Sequence, residues 1–328
     1  MFPSTTAKIT AAATLACALA SFAIAPATAQ GFPAKPLRLV LPFPPGGPTD
    51  LLGRTVAARL SEQVGQAVLV DNRPGAGGNL GLEVAAKAPA DGYTMVLSSP
   101  LISISPSLYA KLNYDPFKDL APVSLVAVIQ NIMVVHPSVP AKTLQDWIRL
   151  ARANPGKLNY ASGGVGTTTH LAAELLNSTA RVRTVHVPYK GSGQAMVGLI
   201  AGETDMLIMA APIAAPQIAA GKLRALALLA DRRVPNLPDV PTAREAGVEN
   251  FEVPIWYGVL VPTGTSREII TRLNAELVKT MAAPEIREKL ASAGIEPRTT
   301  TPEQFAEFIR SEAVRYGRVI KDAGIKGE

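Results

Sequence analysis

From Leu37 onward, short apolar runs alternate with longer segments of helical period, a pattern that predicts α/β layers around mainly parallel sheets. Residues 37–41 read as the first strand. Leu52, Val56, Leu60 and Val64 then recur every four residues on one helix face. A second strand is expected over 68–71, a helix after Gly78, and a third strand over 93–97 that closes into Ser98-Ser99-Pro100.

The rhythm restarts near 132–135, as a second lobe would. A helix is predicted over 144–153, a strand over 158–161, a helix around Leu171 and Leu176, an extended segment over 184–187 and a helix over 196–201. Buried strands are expected over 206–209 and 223–229. The C-terminal part is different: Ile270, Leu273 and Leu277 share one helix face, and Phe305, Phe308, Ile309, Tyr316 and Ile320 another. Amphipathic helices in that position pack most simply on the first lobe. The chain would then cross twice between lobes, near 127–130 and near 253–257, giving one lobe from 30–129 with 254–328 and another from 130–253. A cleft between lobes is a usual place for a ligand.

The N-terminus adds a compartment. Lys8, an alanine-rich apolar stretch over 9–25 and Ala27-Thr28-Ala29 before Gln30 have the order of a cleavable secretory signal peptide over 1–29. The apolar run is short of the roughly 20 residues that span a bilayer. The one cysteine, Cys17, lies in that segment, so a chain cut after Ala29 has no disulfide, thiol nucleophile or thiolate metal site. A lipoprotein reading of Thr14-Leu15-Ala16-Cys17 competes but would cut the apolar region early. The expected location is the periplasm, and the expected state a monomer.

The formal charge of +6 and isoelectric point near 9.4 raise the question of nucleic acid. Lys and Arg are scattered singly, with no run beyond Arg232-Arg233 and no aromatic-interleaved stripe, so nucleic acid is not an expected partner.

Two loops carry the candidate chemistry. Pro42-Phe43-Pro44-Pro45-Gly46-Gly47-Pro48-Thr49-Asp50 joins a strand to a helix, and its glycines let backbone N–H groups at a helix N-terminus approach an anion. An ordinary strand-to-helix turn, capped by Thr49 or Asp50, fits the same residues. Ala161-Ser162-Gly163-Gly164-Val165-Gly166-Thr167-Thr168-Thr169-His170 repeats the arrangement and adds hydroxyl donors. Two such loops facing each other would clamp an anion. A third glycine-rich stretch, 73–81, has Leu80 where a dinucleotide fingerprint needs its last glycine, and no Walker motif occurs.

Enzyme templates do not match: there is no G-x-S-x-G, no H-E-x-x-H and no His/carboxylate cluster at metal spacing, so no catalytic residue, metal or cofactor is expected. His136 reads as a turn residue and His186 as a structural strand residue. His170 is open to a ligand or a structural role, and Asp205 to orienting a ligand or ending a helix in solvent.

Taken in order, 42–50, Asp71-Asn72-Arg73-Pro74-Gly75-Ala76-Gly77-Gly78-Asn79-Leu80-Gly81, Asp91-Gly92-Tyr93-Thr94, 162–171, Val187-Pro188-Tyr189-Lys190-Gly191 and Trp256-Tyr257-Gly258-Val259 resemble the substrate-binding receptors of tripartite tricarboxylate transporters, the Bug family. The resemblance runs over nearly the whole chain after the signal segment. It implies a two-lobed, type II-like periplasmic-binding-protein fold that grips a small carboxylate (a di- or tricarboxylate, aromatic carboxylate or acidic amino acid) and delivers it to membrane permease subunits. Carried over by motif, the first-lobe contacts are Phe43, Gly46, Gly47 and Asp50, with Asn79 and Ser98. Those of the second lobe are Ser162, Gly166, Thr167, Thr168 and His170, with Tyr189, Gly191 and Asp205. Gln194 and Ser266 stand where the family often has proline, and Gln194 is expected to bear on ligand choice. A sensory receptor with the same site, or a secreted hydrolase or isomerase using His170 and Asp205, are the competing expectations.

Overall fold

The computed structural model describes residues 31–326, so the expected signal peptide over 1–29 and Cys17 lie outside the described residues. Residues from Lys35 onward form one compact unit containing two mixed sheets flanked by helices.

In the first sheet the chain lays down β1 (Leu37–Leu41), β2 (Val68–Asn72), β3 (Thr94–Ser98), β4 (Leu120–Ile129), β10 (Ile255–Pro262) and β11 (Glu296–Pro297), in the spatial order β11-β4-β10-β3-β1-β2. The second has the order β7-β6-β8-β5-β9 and comprises β5 (Asn131–Val135), β6 (Asn159–Ser162), β7 (Val185–Pro188), β8 (Met206–Ala210) and β9 (Arg224–Leu228).

The expectation of mainly parallel sheets needs correction. The strand-loop-helix units do give parallel pairs, β1 with β2 and β3, and β6 with β7 and β8. The strands at the crossings run the other way: β10 is antiparallel to both β3 and β4, and β5 to both β8 and β9. The chain leaves the first sheet along β4 and comes back along β10 in the reverse direction. The crossings themselves are not free linkers. Ile255, Trp256 and Tyr257 pair with Ile129, Val128 and Ala127, and Asn131 Nδ2 donates to Val253 O at 2.7 Å. The two passages form a hydrogen-bonded ribbon. Pro122 within β4 falls at a register shift opposite Leu260, the kind of position where a strand tolerates a missing N–H.

Helices α1 (Pro48–Val64), α2 (Asn79–Ala86), α4 (Leu144–Ala153), α5 (Thr168–Ala180), α6 (Ser192–Ile200), α8 (Arg267–Ala282) and α10 (Pro302–Asp322) fall where the apolar spacing places them. Thr143 with Asp146 and Thr301 with Gln304 form capping boxes at the starts of α4 and α10. The helices α3 (Leu101–Leu108), α7 (Ala211–Ala219) and α9 (Pro284–Ser292) are additional to that reading. Internal Pro106 and Pro216 obscure the first two; α3 buries Ile102, Ile104 and Leu108, and α7 buries Ala211 and Ala214.

The C-terminal helices pack on the first sheet, as their amphipathic faces require, with α8 against α1 and β4, and α10 against α3 and β4. Helix α10 also reaches α5, and Ile104, Leu108, Leu171, Tyr316, Val319 and Ile320 make one apolar cluster from α3, α5 and α10. The second sheet's largest core contains Trp147, Tyr160 and Phe251, all fully buried. No helix among the described residues is long and apolar enough to cross a membrane.

Candidate functional site

The loop after β1 is shaped by its own first helical turn. Gly46 has a φ of +91°, a conformation that glycine adopts without strain, and its N–H donates to Asp50 Oδ2 at 3.1 Å. The same oxygen takes Arg54 Nε at 2.9 Å, while Oδ1 takes Asn72 Nδ2, which also donates to Phe43 O. Asp50 is thus committed to fixing the loop. The Arg54 guanidinium, together with the Gly46 N–H and Asn72, overcomes burial and holds its carboxyl down to about 2. This leaves the amides of Gly47 and Thr49 with no acceptor among the described residues, at a helix end with no side-chain cap.

Because the folded-state value lies below the ordinary carboxylate range, Asp50 contributes stability above about pH 4 and loses it as the pH falls towards 2. Asp50→Ala is expected to lower stability by about 1 kcal/mol, or about 2 °C in a chain of this length. It should also flatten the acid limb of the stability profile. Thermal unfolding of both proteins between neutral and acid pH checks this, and an unchanged acid limb would remove Asp50 as the loop's anchor.

The second loop, between β6 and α5, is held in a comparable way. Ser162 Oγ accepts from Gly164 N and lies 2.6 Å from His186 Nε2, Gly163 N donates to Thr169 Oγ1, and Gly166 N donates to His170 Nδ1 at 3.0 Å. Thr167 caps α5 by accepting from His170 N. The amides of Val165, Thr168 and Thr169 are left without an acceptor among the described residues.

A cavity of about 590 Å³ opens between these loops. First-turn residues of five helices, α1, α3, α5, α6 and α7, line it, among them Thr49, Leu101, Thr168, Ser192 and Ile213, and the starts of α1 and α5 bring their free amides to its border. No residue of its lining is Asp, Glu, Lys, Arg or His. Apolar walls come from Leu101, Ile104 and Leu108 of α3, from Ile129 and Ile255 at the crossings, and from Ile213. The Tyr257 hydroxyl, whose ionisation burial pushes up, sits beside Thr49. The arrangement can hold an anion by preformed dipoles around an apolar body.

Of the residues singled out from the sequence, Phe43, Gly47, Gly166, Thr167, Thr168 and Gly191 border this cavity. The others are not among the lining residues. Gly46 and Asp50 brace the first loop, and Asn79 accepts from the Tyr114 hydroxyl at 2.8 Å and donates to Ala76 O. Ser98 is fully buried and donates to Ser99 O, Ser162 and His170 brace the second loop, and the Tyr189 hydroxyl donates to Glu203. Asp205 exchanges hydrogen bonds with Asn159 at the start of β6, whereas the loop leaves that strand's other end. Gln194 is exposed and outside the lining. The apolar wall from α3 and Ile213 escaped the sequence reading because no local motif marks it; the one available signal was Ser98-Ser99-Pro100 closing a strand beside the first loop.

Comparison with known proteins gives a consistent result. The model of the family described as tripartite tricarboxylate transporter family receptor matches residues 52–325. The chain is 36% identical to the protein BugT of Bordetella pertussis over 92% of this chain and 93% of that one. Among solved structures it resembles a protein of R. palustris solved with adipate, at 37% identity and a TM-score of 0.79, covering 90% of this chain and 100% of that one. MatC from Rhodopseudomonas palustris with bound malate gives 31% identity and a TM-score of 0.75, over 88% of this chain and 100% of that one.

Proposed function

Since the chain belongs to the tripartite tricarboxylate transporter receptor family, we propose that it is a periplasmic solute-binding protein that captures a small carboxylate with an apolar body and delivers it to the permease subunits of such a transporter. The observation that carries the reading is the uncharged cavity bordered on opposite sides by the N-terminal ends of α1 and α5, whose amides are free. Free amides of Gly47 and Thr49 on one side, and of Val165, Thr168 and Thr169 on the other, supply donors for a carboxylate without a counter-ion. The relatives solved with adipate and malate support the ligand class.

Lobes over 30–129 with 254–328 and over 130–253 close on the ligand by rotation at the paired crossings. The N-terminal order of Lys8, apolar stretch and Ala27-Thr28-Ala29 supports export. The chemistry is binding alone, with His170 and Asp205 attached to different ends of β6 and neither on the lining.

A cavity without cations bears one buried carboxylate more easily than three, because every additional charge is desolvated without a partner. Adipate, with its apolar spacer, is therefore expected to bind more tightly than malate, and citrate least. Calorimetry and thermal unfolding of the purified chain, refolded to remove carried-over ligand, test this against benzoate and neutral solutes. A ligand at about 100 times its Kd adds about 2.7 kcal/mol of stability. Stabilisation by neutral solutes alone would overturn the carboxylate assignment.

A further inference from the structure

No histidine borders the cavity, yet His170 and His186 lie immediately behind its second loop. Their rings stack with centroids 3.8 Å apart and planes 10° from parallel, and the Tyr160 ring continues the stack 5.0 Å from His186. Each imidazole takes hold of one end of the loop. His186 Nε2 meets Ser162 Oγ, which accepts the Gly164 N–H, and His170 Nδ1 accepts the Gly166 N–H. The amides turned inward by these bonds alternate with the free amides of Val165 and Thr168 that border the cavity.

We infer that His170 and His186 are positioning residues: as a neutral stacked pair they fix which amides of the second loop face the ligand, and a proton taken up by the pair releases the loop and the ligand with it. This inference rests on the carboxylate-binding reading for its ligand consequence only.

The chemistry follows from atom roles. An Nδ1 that accepts from Gly166 leaves Nε2 of His170 carrying the neutral ring's proton. A second proton can go only to Nδ1, where it faces the Gly166 N–H and turns an attraction into a repulsion. Two imidazolium rings at 3.8 Å repel strongly, so the pair takes one proton before the other. The titratable groups that face the pair are Tyr160 on β6 and Glu174 on α5, and the Tyr160 hydroxyl donates to Glu174 Oε1. Burial pushes His170 down to about 4. Burial and the neighbouring His170 push His186 to about 4 as well, against the opposing pull of Glu174. Depressed imidazole values mean that the unfolded chain takes up these protons first. The ordered loop therefore loses stability as the pH falls from about 6.5 towards 4 and is unaffected above that window.

The test begins on the ligand-free wild-type chain, with the Gly164 and Gly166 amide resonances followed by NMR while the pH is lowered. Both are expected to shift in step with the His170 ring, with a midpoint near 4. In His170→Asn, whose side-chain carbonyl keeps an acceptor close to the place of Nδ1, the Gly166 step should vanish. Adipate affinity is then measured by calorimetry across the same range. His170→Ala should weaken binding by about tenfold at neutral pH. His170→Asn should recover most of that loss and bind with less dependence on acid than wild type. Amides that ignore the histidine titration, or a His170→Asn chain as acid-sensitive as wild type, would overturn the inference. If adipate and the other carboxylates bind at no pH, the functional reading fails and the amide titration alone decides the positioning role.

Discussion

Replacing Gly166 with alanine is expected to weaken carboxylate capture by about tenfold or more while leaving a cooperatively folded chain. Two physical effects act at this position. Gly166 has a φ of +73°, in the left-handed region that costs an L-residue about 1–2 kcal/mol. In addition, a Cβ built there would lie 2.1 Å from Leu108 Cδ2 and 3.2 Å from its Cγ, far inside any real carbon–carbon contact. Leu108 ends α3, which packs on α10, while Gly166 belongs to the loop after β6 of the second sheet, so the clash falls where the two sides of the cavity meet.

Leu108 has little room to retreat, being 7% exposed and packed with Ile104, Leu171, Tyr316 and Ile320. The easier response is for the two sides to move apart, which withdraws the Val165 and Thr168 amides from the ligand. Leu108→Ala removes the obstructing atoms, so the double variant should regain much of the affinity that Gly166→Ala loses. Calorimetry on the four proteins of that cycle measures the coupling directly. Independent effects of the two substitutions would show that the contact does not limit closure.

Trp256→Ala is expected to have the largest effect on stability, about 3–5 kcal/mol, the usual cost of deleting a large aromatic side chain from a core. Trp256 is fully buried at the start of β10, where it pairs with Val128 in the crossing ribbon. Its ring meets Phe305 and Phe308 of α10 edge-on, at 5.7 and 5.4 Å between centroids, and its Nε1 donates to Glu312 Oε2 at 3.2 Å. Glu312 in turn binds Arg315, whose Nη1 donates to Glu252 O just before the second crossing. One helix thereby fastens both the ribbon's edge and the chain that leads into it.

The alanine variant would leave a cavity and take a donor from a buried carboxylate, and the two losses act together. Trp256→Phe keeps much of the packing and loses the N–H, so it should cost only about 1–2 kcal/mol more than a pure packing adjustment. Urea unfolding should show the midpoint falling in that order with the slope unchanged. A loss under about 1 kcal/mol for Trp256→Ala would mean that α10 does not anchor the crossing there.

The elements read correctly from the chain were those whose own spacing marks them. Leu52, Val56 and Leu60 are buried on one face of α1, and α4 begins and ends where its apolar period and Thr143 cap require. Strands β1, β2, β3, β6 and β8 are short apolar runs bounded by turn residues, which is sufficient local information. Gly46, Gly164 and Gly166 were legible because their left-handed backbone, at φ +91°, +126° and +73°, admits little else without strain, and the resemblance over nearly the whole chain pointed to the same loops.

Pairing direction was not legible, since a strand carries the same alternation whether its neighbour runs with it or against it. The segments of β4 and β10 read only as crossings near 127–130 and 253–257, although both are strands of the first sheet and pair with each other. Helices α3 and α7 were hidden by Pro106 and Pro216, whose penalty is offset by packing that only the assembled fold supplies.

By itself, then, the sequence determined two rounds of α/β layering, two glycine-rich loops at helix starts and the family. The tertiary structure decided which groups border the cavity. Asp50, Ser162 and His170 carry the chemistry a motif would assign to binding, yet each spends its hydrogen bonds on its own loop, while plain backbone amides and the apolar wall of α3 and Ile213 face the cavity. The reason is geometric: a helix or strand period records which side of an element is buried, but what stands opposite that side, as Leu108 stands opposite Gly166, is set by contacts between segments far apart in the chain.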